Sequence, residues 1–150
     1  MDHVNRFHTD DSWRWVRAEQ VALAAAFSVL LAAHAREVAW GRFIAAFAAI
    51  DLVGYLPGAI ASRRAGGGPI APVYHHLYNL THNYLTAGAA ALLWALGGGF
   101  EWAMLALPIH LCGDRGLFGN TYKPVSLPFE PVHPRAAKIG AIGPIQEAGK

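Results

Sequence analysis

The chain distributes its charge so unevenly that its middle is built for hydrocarbon rather than water. Four apolar stretches run at about Ala18 to Ala35, Val38 to Ile60, Pro72 to Leu96 and Phe100 to Phe118. Charge collects before Ala18, around Arg63 and Arg64, and after Asp114. Each stretch is near the roughly 20 residues a helix needs to cross a hydrocarbon core of about 30 Å. Only 15% of the 150 residues are charged, against 54% hydrophobic, whereas soluble domains carry nearer a quarter charged. The expected fold is all-α: an integral membrane four-helix bundle, up-down, with an irregular Pro-rich C-terminal tail. The expected parts are a polar segment over 1–17, a transmembrane domain over 18–118 and a cytoplasmic tail over 119–150.

The links support antiparallel neighbours, because short connections leave no room for crossovers. Arg36-Glu37 forms a tight turn, Ser62 to Pro72 a glycine-rich loop, and Gly97-Gly98-Gly99 ends the third helix, as glycines do at helix C-termini. Pro57 and Pro108 are expected to kink their helices. Small residues such as Ala45-Ala46 and Ala87-Gly88-Ala89 let helices approach closely. Polar residues and no small-residue cleavage site surround the first apolar stretch, which reads as a retained anchor rather than a cleavable signal. Cys112 is the one cysteine, so no internal disulfide forms.

Orientation follows from the basic residues. With four spans, the N-terminus, the middle loop and the tail share a side. That side holds ten of the twelve lysines and arginines, leaving Arg36 and Arg42 for the other. The positive-inside rule then places the chain in the inner (cytoplasmic) membrane, multi-pass, with both termini cytoplasmic. A net charge of +2, with no basic stripe of interleaved aromatics, excludes nucleic acid as a partner.

Ionisable groups inside spans are costly and mark functional sites by default. At a rise of 1.5 Å per residue, Asp51, His82, His110 and Asp114 lie about 13, 15, 12 and 6 Å below the cytoplasmic surface. His75, Asn79 and His82 share one stripe of the third helix, Tyr78 and His82 are an i,i+4 pair, and His110 and Asp114 share a face of the fourth. Two imidazoles and two carboxylates suit a divalent metal such as Zn, Fe or Mn. Asn79 and Tyr78 would orient ligands or substrate. Arg115, with Lys123, would hold an anionic group. Cys112 points away from this set. The competing reading is structural: the same groups bind helices together, with Asp51 paired to Arg42 or Arg115 and Asp114 paired to Arg115 or capping its helix. A proton or ion path is the third reading, though the outer half offers few polar groups beyond Thr86 and Glu101.

At these residues the chain resembles a family of small bacterial integral membrane proteins catalogued as a domain of unknown function. The shared pattern is Asp51-x-x-Gly54-Tyr55, Tyr78-Asn79-x-x-His82, His110-x-x-x-Asp114-Arg115, Lys123 and Phe129-x-x-x-His133, spanning about Val38 to Gly140. The loop around Arg63-Arg64 is longer here, and Gly116 to Lys123 departs from the usual form. The resemblance implies a four-helix membrane protein with no established activity. It adds His133 as a further candidate ligand, carried to the cytoplasmic mouth by a folded tail.

The functional expectation is a membrane-embedded, metal-dependent, hydrolase-like enzyme acting on an amphipathic or lipid-like substrate at the cytoplasmic leaflet. The alternative is a non-enzymatic accessory or assembly subunit whose polar layer is structural. Expected partners are the lipid bilayer, a lipid-like or anionic small molecule, and a second copy or another membrane protein.

Overall fold

A computed structural model describes residues 10–130, and among these every regular element is helical, with no strand. Helix α1 runs Asp10–Ala33, α2 Trp40–Gly54, α3 Leu56–Arg64, α4 Pro72–Thr81, α5 Tyr84–Gly98 and α6 Ala106–Gly113. A 3₁₀ turn, Trp102–Leu105, leads into α6, and a π-helical turn, Asp114–Phe118, follows it. Two stretches are long and apolar enough to cross a membrane, Asp11–Ala33 and Trp40–Arg64. Helix α1 packs on α6 and the π turn, and α2 packs on α4 and α6.

The elements differ from the expected four continuous helices at points with local causes. Helix already starts at Asp10, inside the segment expected to be polar and separate. Pro57 lies in the first turn of α3, just after the junction at Tyr55, where a missing N–H is tolerated. Pro108 likewise falls in the first turn of α6. The third stretch breaks at His82 and Asn83, because Asn83 adopts an extended backbone and caps α5, its Oδ1 accepting from the Thr86 N–H at 2.8 Å. Asparagine is a preferred N-cap for this reason.

A helix break away from water must satisfy its freed backbone groups internally. Asn83 Nδ2 donates to the carbonyls of Asn79 and Leu80 at 2.7 and 3.0 Å, and Arg115 Nη2 donates to the His82 carbonyl at 3.1 Å. The π turn is served from α1: Arg17 donates to the carbonyls of Gly116 and Leu117 at 3.0 and 2.8 Å.

The link ends also meet. Trp102 stacks on His34 and donates to Glu37 at 3.0 Å, while Arg42 pairs with Glu101. Hydrogen bonds from His34 and Trp102 hold the Glu37 carboxyl below the usual carboxylate range.

The tail returns to the bundle as far as it is described. Phe129 is fully buried against Tyr55, Tyr78 and His75. Gly58 makes room for it, since a Cβ there would lie 2.3 Å from the Phe129 ring. Gly54 lets α2 approach α4 in the same way: a Cβ would lie 1.8 Å from Thr81 Oγ1. Gly54→Ala should therefore cost about 1–3 kcal/mol by overpacking, read as a lower unfolding midpoint in detergent. An unchanged midpoint would contradict this packing.

Candidate metal centre

Four side chains from four elements converge. Asp51 stands in the last turn of α2, His82 is the residue that ends α4, His110 lies in α6, and Asp114 opens the π turn. The convergence depends on irregular backbone at two of these points, consistent with the tendency of π turns to accompany functional sites.

One ligand atom from each of the four lies within 4.8 Å of all the others. His82 Nε2 is 3.2 Å from Asp51 Oδ1 and 3.5 Å from Asp114 Oδ2, and His110 Nε2 is 3.6 Å from Asp51 Oδ1. Ligands bound at about 2.1 Å in a tetrahedron sit about 3.4 Å apart, so these separations fit one shared ion. The two imidazoles are 4% and 3% exposed, whereas Asp114 is 17% and Asp51 48% exposed. The donor set is thus buried on its nitrogen side and open on the Asp51 side.

The hydrogen bonds around His82 sharpen this. Its Nδ1 lies 3.1 Å from the Tyr78 carbonyl and 2.9 Å from Thr81 Oγ1, and the Thr81 hydroxyl also reaches the carbonyls of Leu77 and Tyr78. A carbonyl can only accept, so Nδ1 carries the proton. In that tautomer a neutral His82 turns its Nε2 lone pair toward two carboxylates, so that three acceptors face one another. Histidine ligands characteristically donate their second nitrogen to a carbonyl in this way. A second proton on His82 would relieve the conflict locally. It would leave buried His110 with no hydrogen bond on either nitrogen, its Nε2 being too far from Asp51 to share a proton. A cation among the four groups answers both His82 and the His110 Nε2.

Among the described residues the ion pairs of the structural reading do not occur, although Asp114 does stand as the C-cap of α6, as that reading has it. Arg42 is joined to Glu101, Arg115 is on the His82 carbonyl, and the Asp51 carboxylate faces the histidines. His75, although on the His82 stripe, is buried elsewhere, with Nε2 3.2 Å from the Leu127 carbonyl and its ring edge-on to Phe129. Cys112 is buried 3.3 Å from the Tyr84 hydroxyl, apart from the cluster. His133 lies outside the described residues.

A cavity of about 260 Å³ opens beside the carboxylates, lined by Asp51, Tyr55, Tyr78, Asp114, Phe118, Asn120, Lys123 and Glu130. A larger groove of about 430 Å³ lies between Pro57 and Tyr74, but no histidine, cysteine or carboxylate lines it. The remaining expected site residues take distinct places. Tyr78 is buried, stacks on the His82 ring at 3.9 Å, and forms a cavity wall. Asn79 is spent on the tail: its Nδ2 donates to the Lys123 carbonyl at 3.0 Å and its Oδ1 accepts from the Lys123 N–H at 2.7 Å. Arg115 lies over the Tyr84 ring at 4.2 Å and does not line the cavity. Lys123 does line it, and burial pushes its ammonium below the usual lysine range, with Glu130 acting against that shift.

Sequence reasoning gives no role to Thr81 or Glu130, and names Tyr55 only as sharing a face with Asp51. Thr81 is detectable as a hydroxyl next to His82 in the broken turn. Glu130 gives no local clue, because its place depends on how the tail folds back. Set against known proteins, the chain matches no family model, no curated protein and no solved structure.

Proposed function

We propose that the protein is a membrane-embedded, metal-dependent hydrolase acting on an amphipathic or lipid-like substrate at the cytoplasmic leaflet of the inner membrane. In this reading all four apolar stretches lie in the bilayer and both termini are cytoplasmic. Outward-facing apolar side chains on α1 and α5, such as Val29 and Leu85, support lipid contact, since contiguous exposed apolar surface marks membrane or partner contact. Membership of the small bacterial membrane family resembled by the sequence is part of the same proposal.

The observation that carries it is the meeting of two buried imidazole nitrogens and two carboxylates, with neither nitrogen of His110 hydrogen-bonded among the described residues, beside an open cavity. Zinc, iron or manganese held there would polarise a carbonyl or phosphoryl oxygen and lower the pKa of bound water. The chain's own groups would do the rest. His82 and His110 fix the ion's position, and Tyr78 and Thr81 fix His82. The exposed part of the Asp51 carboxylate can take the proton of an attacking water as its oxygen bonds to the substrate and the leaving group departs.

The test is hydrolysis of carboxylic- and phosphoric-ester lipids by metal-loaded protein in bilayers. Chelation and Asp51→Asn should each abolish turnover by about 10²-fold or more, the usual scale for loss of acid–base function. Turnover that survives both would sink the proposal. The non-enzymatic reading draws on Asn79 and Arg115, both of which serve backbone groups. It accounts for the His82–Asp51 bond between α4 and α2 but not for the closeness of His110, which has no side-chain hydrogen bond among the described residues.

A further inference from the structure

We infer that Lys123 is the recognition group of this cavity and that it takes an anionic oxygen group of the phosphate type. The inference rests on the reading of the cavity as a substrate site. Lys123 is the one cation among the described lining residues, while the other basic candidate, Arg115, is turned away onto the His82 carbonyl and the Tyr84 and Tyr122 rings.

The chain fixes Lys123 from two sides. Asn79 gives its whole amide to the Lys123 backbone, in paired bonds of 3.0 and 2.7 Å. The side chain is only 14% exposed, unlike a surface lysine that ends in water. Its ammonium donates to the Phe129 carbonyl at 2.6 Å and lies 4.3 Å from the Phe129 ring centre and 5.0 Å from that of Tyr78. Aromatic faces hold a cation without neutralising it.

Its charge partner is loosely engaged. Glu130 Oε1 is 3.4 Å away, beyond the roughly 2.7–2.9 Å of a firm charge-assisted bond. An ammonium has three donors, and one is left without an acceptor among the described residues. An incoming oxyanion can take that donor and displace Glu130. Asp51 and Asp114 line the same cavity, and a cation held between them would offset their charge, so that an entering anion would be drawn to Lys123 and to that cation. Asn79 is accordingly a positioning residue for Lys123.

The test titrates inorganic phosphate calorimetrically into full-length protein in detergent, with metal content measured on the same samples. Phosphatidic acid retained from phosphatidylcholine bilayers doped with it is measured in parallel. Lys123→Met should weaken phosphate binding roughly tenfold or more, as loss of a hydrogen bond to a charged group implies. Lys123→Arg should stay within a few-fold of wild type. Glu130→Gln should bind several-fold tighter, a gain that misfolding cannot imitate. Lys123-dependent retention of phosphatidic acid without free-phosphate binding would assign the anion to a lipid headgroup; binding of both would assign it to phosphate in either form. Wild-type protein that binds neither, or Lys123→Met and Glu130→Gln variants that bind as wild type does, would overturn the inference. Lys123-dependent binding in metal-free protein would uphold it and remove the metal reading alone.

Discussion

Protein purified gently and without chelators will carry about one equivalent of a transition metal, and His82→Ala or His110→Ala will carry roughly a tenth of that or less. The size of the effect follows from the donor count. Groups that merely orient a ligand are worth 10–100-fold in metal affinity, and each of these substitutions removes a ligand outright. His82→Ala also removes the one imidazole that lies 3.2 Å from Asp51 and 3.5 Å from Asp114. Elemental analysis reads the result directly. Binding requires neutral imidazoles and ionised carboxylates, so metal should also be released on acidification. Wild-type protein that is metal-free after gentle purification, and that takes up none on addition of zinc, iron or manganese, would end the metal reading.

Phe129→Ala will release the tail. Phe129 is among the largest fully buried side chains, enclosed by Tyr55, Tyr78 and His75 and seated over Gly58. Truncating a buried phenylalanine to alanine costs about 3–5 kcal/mol. The Phe129 carbonyl that receives the Lys123 ammonium is backbone and remains in the variant, so the loss is that of the ring's burial. The Lys123 amide, bonded to Asn79 Oδ1 at 2.7 Å, reports tail docking by hydrogen exchange. At about 1.4 kcal/mol per factor of ten, its protection should fall by roughly two orders of magnitude. Protection within a few-fold of wild type would show that the tail is held by something other than this ring.

Much of the candidate site is legible in the amino-acid order itself. Helical spacing pairs His110 with Asp114, and the basic-residue bias fixes a direction along each helix. Rise per residue then places Asp51, His82 and His110 at one level, and these residues do meet. What cannot be read is anything decided by long-range backbone contacts. Arg115 looks like an anion binder but serves a carbonyl exposed by the break after α4. Asn79 looks like a ligand-orienting group but clamps a residue 44 positions away. No periodicity encodes such a bond. The break itself is within reach: Asn83, three residues before Thr86, is a cap signal inside an apolar run. Hydropathy averaging hides it, because the strongly apolar α5 carries the mean across the more polar end of α4. Fold class is easier: the described residues form helices and no strand, as expected, although two helices rather than four are long and apolar enough to cross a membrane.

The π-helical turn at Asp114–Phe118 holds one more residue than an ordinary turn of the same rise. A chain one residue shorter in that stretch would close into plain α-helix with the flanking residues nearly on their present bearings, because the wider turn absorbs the extra residue. Were the lost residue Arg115, the His82 carbonyl at the broken end of α4 would lose its donor. The wider turn thus carries, side by side, the acid that faces the histidines and the arginine that seals the neighbouring helix. Relatives that differ in length at this one turn would be expected to differ in what the site can hold.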